Sequence, residues 1–378
     1  MPMHVDKLVS SDSPAVMEPM REQAASGPGG QAGVWRAIDA SANRAAEALR
    51  VVEDAVRFTL DDVVLTGLAK EMRHDLAAVL ATEPLRHRVG ARDVAGDVGN
   101  GMEAAAALGR SSVADLVAAN AARAGQALRS LAECAAVVTP AACAGFEQLR
   151  YRLYDLERRA LAAVRARDRL AGVNLCVLVE GCADGAVFSR LVESLVDAGV
   201  RMLQIRDKRL ATPALVDRVG RALAIARRRP PEEAVFVIVN DRVDVAAAVG
   251  AAGAHVGEDD LPVPLARRVL GPAALLGRTA HDVAEAREAA AVGADFLGIG
   301  PCFASATKTF RAFAPPEFLR TVAAEIALPA FAIGGVTLDR LDELAALGIT
   351  RVAVAAAVTS APDPAAAARA FIARLARP

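Results

Sequence analysis

Two carboxylates, three cations and several hydroxyls stand just past short apolar runs in the second half of the sequence. Asn240-Asp241-Arg242 follows one such run, and Gly257-Glu-Asp-Asp260 follows the next. Asp241 and Asp260 are hard oxygen donors of the kind that hold Mg²⁺. Arg206 and Lys208, within Gln204-Ile205-Arg206-Asp207-Lys208, supply positive charge for a diphosphate. Gly277-Arg-Thr279-Ala-His281 and Gly300-Pro-Cys-Phe-Ala-Ser305-Ala306-Thr307-Lys308 add hydroxyls and a third cation. Hydroxyls beside a lysine, without bulk between them, suit a phosphate or pyrophosphate ester. Gly334-Gly335, before a helix start near Thr337, offers bare amides to a phosphate monoester.

Each group also has a plainer reading. An acid after a strand usually caps a helix, glycines make turns, and a Ser/Thr/Lys loop is usually a solvated connection. His255 and His281 read as packing or hydrogen-bonding residues rather than bases. The case for a site is that the groups recur at one strand end after another.

Groups so placed need strands that stop where they begin. Apolar runs at Leu175–Val179, Met202–Ile205, Val235–Val239, Ala254–Val256, Leu275–Gly277, Phe296–Ile299, Ala330–Ile333 and Val352–Ala356 read as those strands. Alanine-rich helical stretches fit between them, at 187–198, 213–228, 282–292, 338–347 and 363–376 among others. The fold class is therefore α/β, with a (β/α)8 TIM barrel over residues 169–378. A doubly wound sheet is the alternative, but no Gly-x-Gly-x-x-Gly follows the first strand. Barrels of this class place their active sites at the carboxyl ends of the strands, where these groups lie.

The first half carries no alternating strand pattern. Residues 33–168 read as an all-α helical domain, preceded by a disordered tail over 1–32 and closed by a charged break at Arg165–Gly172. In the segment 36–57, Ala45, Leu49, Val52 and Val56 share one helical face, while Asn43, Glu47, Arg50, Asp54 and Arg57 share another. The pattern repeats. Arg44, Glu47, Ala48, Leu49 and Arg50 meet Arg123, Gln126, Ala127, Leu128 and Arg129 after a shift of 79 positions. Met72–Leu76 meets Leu149–Leu153 after a shift of 77. Two helical hairpins related by a pseudo-twofold would turn both polar stripes, with Asn120 on the second, towards one cleft. A charged loop, Arg92-Asp93 and Asp97-Val98-Gly99, lies between them.

Composition bounds the rest. Basic and acidic residues nearly cancel, 44 against 45, which argues against a nucleic-acid partner and makes any anion site local. No apolar run approaches a membrane span. Five scattered cysteines, without metal spacing, fit a reduced, cytoplasmic setting. Homo-oligomerisation is left open.

Gln-x-Arg-x-Lys at 204–208, Val-Asn-Asp-Arg-Val-Asp at 239–244, His-Val-Gly-x-x-Asp-Leu-Pro at 255–262, Gly-Ile-Gly-Pro…Thr-Lys at 298–308 and Ala-Ile-Gly-Gly at 332–335 closely resemble thiamine phosphate synthase, in order and over the entire barrel. That family joins hydroxymethylpyrimidine diphosphate to hydroxyethylthiazole phosphate, releasing pyrophosphate. The resemblance implies that Gln204, Ile205, Arg206, Asp207, Lys208 and Asn240 hold the pyrimidine diphosphate, with Thr279 and Lys308 completing that half. It implies Mg²⁺ on Asp241 and Asp260. It gives the thiazole phosphate to Ser305, Ala306, Thr307 and Gly335, with the amides of Ala355 and Ala356. Arg206, Lys208, Thr279 and Lys308 are the implied catalytic groups. Thr279 stands where the family usually has serine, Ser305 where it often has threonine, and Ala355-Ala356 where it usually ends in Val-Ser. The resemblance thus implies an enzyme acting on small molecules with Mg²⁺ as cofactor. The alternatives are a thiazole tautomerase-like isomerase, which would not need both acids and the Gln-x-Arg-x-Lys group, and a non-catalytic thiamine phosphate-binding protein.

The first half resembles the helical family called ThiD2 through Asp39…Asn43-Arg44…Glu47…Leu49-Arg50…Glu53-Asp54…Arg57-Phe58. The resemblance implies a hydroxymethylpyrimidine phosphate kinase, although no P-loop is present. A dimerising helical cap is the structural alternative.

Overall fold

The computed structural model describes residues 28–98, 109–182, 184–304 and 312–376. The helical half is built from α1 (Pro28–Phe58), α2 (Val63–Leu80), α3 (Val113–Val138) and α4 (Cys143–Arg169). In α1 the residues Ile38, Ala42, Ala45, Leu49, Val52 and Val56 recur at three- and four-residue spacing and are all buried. Their partners at the 79-residue shift, Val117, Ala121, Ala124, Leu128, Leu131 and Ala135, are buried along α3. The repeat is therefore a repeat of the packing face. At the 77-residue shift, Met72 and Leu76 of α2 match Leu149 and Leu153 of α4, again all buried. Asp75 and Arg152, which that shift relates, form an ion pair with each other. Equivalent positions touch only near the axis that relates them, so this pair marks the pseudo-twofold.

In the helical half two expected boundaries move. Helix α1 begins at Pro28, inside the stretch read as tail; residues 1–27 lie outside the described residues. The charged stretch from Arg165 is helix as far as Arg169, because Ala163, Val164 and Ala166 keep its buried face going beneath the arginines.

The second half is a closed parallel barrel in the order β1 to β8, with β8 pairing back to β1. Its strands are β1 (Leu175–Val179), β2 (Met202–Ile205), β3 (Phe236–Asn240), β4 (Gly253–Val256), β5 (Leu275–Ala280), β6 (Phe296–Ile299), β7 (Ala330–Ile333) and β8 (Val352–Val354). Between and after them run α5 (Gly185–Asp197), α6 (Thr212–Ala226), α7 (Val243–Val249), α8 (Val263–Leu270), α9 (Val283–Val292), α10 (Pro316–Glu325), α11 (Leu341–Ala345), α12 (Ala356–Thr359) and α13 (Pro364–Leu375). Strand β8 is shorter than expected: Ala355 turns the chain at φ −117° and ψ −97°, and Ala356 already starts α12. The helix expected at 338–347 is a 3-10 turn followed by five α-helical residues.

Alternation along the strands sorts the side chains. Cys176, Met202, Ile238, Leu275, Phe296, Phe331 and Ala353 fill the interior. Leu170 and Val173, just after α4, join them as the floor of the barrel. The same alternation carries Gln204 of β2, Asn240 of β3, His255 of β4 and Thr279 of β5 to the interior side, nearer the carboxyl end, with Arg206 just past β2.

The helical half docks on the opposite end. The Arg169 guanidinium bonds the Ala273 carbonyl just before β5, and that of Arg158 bonds Ala291 before β6 (3.3 Å). The Ala327 amide, before β7, lies 3.4 Å from the Asp62 carboxylate that caps α2. Burial raises the pKa of Asp62, which donations from the Leu65, Ala327 and Val64 amides only partly offset. Among the described residues, no helix is long and apolar enough to cross a membrane.

Candidate active site

Strand β3 ends by turning sharply. Asp241 adopts φ +61°, a left-handed conformation that aspartate tolerates better than most residues. Its amide donates to the His255 carbonyl at 2.8 Å, which ties the turn to β4. The turn brings the Asp241 carboxylate to Asp260 and to Lys208, whose Nζ lies 3.4 Å away. Partial burial, and then the neighbouring Asp260 carboxylate, raise the pKa of Asp241, while Lys208 works the other way. Two neighbouring carboxylates at the carboxyl end of a barrel offer hard oxygen donors, which suit Mg²⁺ better than a softer metal. Asp260 also serves its own loop, accepting from the Gly257 amide at 2.7 Å; it caps no helix, since α8 begins after Pro262 without a side-chain cap.

The other expected contacts divide. Gln204 is buried on the interior face and Arg206 is half-buried beyond it. Ile205 points outward into the apolar layer between strands and helices, so its side chain cannot reach the mouth. Asp207 is also turned away. Its carboxylate accepts from the amides of Arg209 (2.8 Å), Leu210 (3.3 Å) and Gly181 (3.1 Å). Burial opposes its ionisation, but the Arg209 and Gly181 amides, with the Arg209 guanidinium, outweigh it and hold its pKa below the ordinary carboxylate range. Asp207 therefore ties the loop after β1 to the loop after β2. Asn240 is half-buried at the end of β3 and Thr279 half-buried near the end of β5.

Thr279 is held by His255, which the sequence suggested for packing or hydrogen bonding without naming its partner. His255 is buried, and its Nε2 lies 2.9 Å from Thr279 Oγ1. Burial, then the charge of Arg278, push its pKa down to about 4, so the ring is neutral at neutral pH. Strand parity over β4 and β5 was the signal that could have paired the two. His281 is exposed and bonds Glu285 at the start of α9.

Ser305, Ala306, Thr307 and Lys308 lie outside the described residues. The loop just before them is described and is clasped by the end of β7. The Cys302 amide donates to Ile333 and the Phe303 amide to Gly334, both at 2.9 Å. Gly335, at φ +64°, comes so close that a Cβ there would lie 2.2 Å from the Ala304 carbonyl oxygen. Glycine at 335 is thus required by the turn and by the clasp. The short, split helix after it offers little dipole, so a phosphate here would depend on loop amides. Ala355 and Ala356 bracket the turn into α12 at the neighbouring strand end.

In the helical half, Arg44, Glu47 and Arg50 are exposed on α1 and Arg123, Gln126 and Arg129 on α3. Asn120 leaves the expected stripe: it is buried and its Nδ2 donates to the Leu116 carbonyl at 2.8 Å. Besides Asp62, the buried acids among the described residues of this half are Asp39, held by Nε and Nη2 of Arg92 (2.6 and 3.0 Å), and Glu53, paired with Arg73. Gly99 of the charged loop is outside the described residues.

Comparison with known proteins fits this picture. Residues 175–358 match the family described as thiamine monophosphate synthase, and residues 36–159 match the ThiD2 family. A thiamine-phosphate synthase of Rhodopirellula baltica is 38% identical over 336 residues, 86% of this chain and 88% of that protein. One of Gloeobacter violaceus is 38% identical over 344 residues, 91% of this chain and 97% of that protein. The chain belongs to the thiamine-phosphate synthase family. It is an enzyme, a transferase of that family, with a ThiD2-family region in front of the barrel. A solved thiamine phosphate pyrophosphorylase from Pyrococcus furiosus is 27% identical, covering 55% of this chain and 98% of its own, at a TM-score of 0.47. The matches to the Rhodopirellula and Gloeobacter proteins extend over both halves of the chain.

Proposed function

We propose that the barrel mouth joins hydroxymethylpyrimidine diphosphate to hydroxyethylthiazole phosphate and releases pyrophosphate. The observation that carries this is the meeting of Asp241, Asp260 and Lys208 at the carboxyl end of β2, β3 and β4. Arg206, Lys208 and Lys308 neutralise the diphosphate, and their charge counts most as the leaving group departs. Asp241 and Asp260 would hold Mg²⁺, which when bound supplies Lewis-acid stabilisation to the leaving pyrophosphate. Gln204, Asn240 and Thr279 orient the pyrimidine half. The amides around Gly335, Ala355 and Ala356, with Ser305 and Thr307, receive the thiazole phosphate. The resemblance implies a pyrimidine cation captured by the thiazole nitrogen, so the barrel's work is to align both partners and exclude water. No strong base is required, which agrees with the neutral, enclosed His255.

For the helical half we infer a separate unit that makes the diphosphate from the monophosphate, using the exposed polar groups that include Arg44 and Glu47. Because this half docks beneath the barrel while the mouth opens at the far end, its product reaches the mouth through solvent. Residues 33–168 and 169–378, expressed separately, test this; the cut leaves Leu170 and Val173 with the barrel they floor. The barrel fragment should convert the diphosphate without ATP and leave the monophosphate untouched. Adding the helical fragment, ATP and Mg²⁺ should restore use of the monophosphate at a rate matching the intact chain. Arg44→Ala or Glu47→Ala should abolish that restoration. A folded helical fragment that yields no diphosphate with any nucleotide would leave it a packing role only.

A further inference from the structure

The floor of the mouth holds one ring to which the assignments above give no task. His255 sits on the interior face of β4 with its ring tilted against Phe296, centroids 5.5 Å apart. Two glycines make room for it. A Cβ at Gly277 would come 2.4 Å from His255 Nδ1, and one at Gly298 would come 3.1 Å from its Cε1. The ring is therefore confined across β5 and β6. Its Nε2 meets Thr279 Oγ1 at 2.9 Å, while its Nδ1 is buried and has no hydrogen-bond partner among the described residues.

We propose that His255 is a positioning residue that carries its proton on Nε2 and donates it to Thr279 Oγ1, so that the threonine's own proton is presented to the pyrimidine diphosphate. This rests on the assignment of Thr279 to the pyrimidine half. The argument is an accounting of donors. A neutral imidazole has one N–H and one bare nitrogen. With the proton on Nδ1, a buried N–H would face no acceptor, the rarer and costlier kind of orphan. With the proton on Nε2, an acceptor stands 2.9 Å away and only a lone pair goes unused. A hydroxyl that accepts from His255 must aim its hydrogen elsewhere, and the interior side of β5 at that height is the mouth. Thr279 is then a donor before substrate arrives, with no reorganisation needed as charge develops. The same device explains why Thr279 can replace serine, since the role needs only the hydroxyl.

Nitrogen-15 NMR of the full-length chain, labelled at histidine, reads the tautomer directly; the signals of His255 are those lost in His255→Gln. The Nε2–H form is expected, and the Nδ1–H form would overturn the proposal. The tautomer itself is read on the native chain, and the variant serves only to pick out which signals belong to His255. Kinetics give a second readout. Thr279→Val and His255→Leu should each lower kcat about tenfold, the scale of one hydrogen bond, with the KM for thiazole phosphate unmoved. The double variant should be no slower than either single variant. His255→Gln, whose amide nitrogen can take the place of Nε2, should recover most of the loss. Wild-type turnover in Thr279→Val would remove the assignment of Thr279 and this proposal with it. A slow Thr279→Val beside a fully active His255→Leu, or losses that multiply, would remove the role of His255 alone.

Discussion

Asp241→Asn and Asp260→Asn should each lower turnover by several kcal/mol of transition-state stabilisation, on the order of a thousandfold in kcat. Asparagine is the informative substitution at 241, because it tolerates the left-handed backbone found there and removes only the charge. At 260 its side-chain oxygen can still accept from the Gly257 amide, so the turn survives. Pyrophosphate release measures the effect, with the KM for thiazole phosphate expected to change little. The same pair sets a pH dependence. The Asp241 pKa is raised above its ordinary value, so its proton competes with the cation at a higher pH than for a free aspartate. Without metal, the stability tied to that raised pKa is present at low pH and lost as pH rises through it. Mg²⁺ should offset that loss, so it should raise Tm near neutral pH and lose this effect as Asp241 becomes protonated. Full turnover of both variants in excess chelator would remove the metal role of the pair.

Gly253→Ala should cost the barrel about 3 kcal/mol, the upper part of the usual overpacking range. A Cβ at Gly253 would lie 1.8 Å from the Leu275 carbonyl oxygen, and backbone cannot swing aside as a side chain does. Strands β4 and β5 would have to part at the point where Gly253 pairs with Leu275. Gly220→Ala in α6 is the control: nothing lies within 4 Å of its Cβ position, so it should be neutral or stabilising by about 0.5–1 kcal/mol. Denaturant midpoints followed by circular dichroism compare the two. A Gly253→Ala protein within about 0.5 kcal/mol of the parent would contradict the close approach.

The strands of the barrel were legible because each is a short apolar run bounded by glycine or charge, and their order follows from short right-handed crossovers. Asp241, Asp260 and Lys208 could be placed together because all three fall past the ends of neighbouring strands. The direction of a side chain after a strand ends could not be read, since parity lapses where the chain turns. Asp207 shows this: it lies between two mouth residues in sequence, yet its carboxylate is spent on the amides of Gly181, Arg209 and Leu210. Gly335 shows the converse, a glycine suggested for phosphate approach that the clasp on Ala304 already demands. In the helical half the repeat was legible as a pattern, but its meaning as a packing face emerged only from burial. The stretch from Arg165 misled because surface arginines hid the buried stripe of Ala163, Val164 and Ala166.

The most direct measurement incubates the purified full-length chain with hydroxymethylpyrimidine diphosphate, hydroxyethylthiazole phosphate and Mg²⁺, and follows products by mass spectrometry. Thiamine phosphate and pyrophosphate should appear in equal amounts, without ATP, and stop when chelator removes the metal. Binding of both substrates with neither product formed, or an isomerised thiazole phosphate as the sole product, would contradict the account.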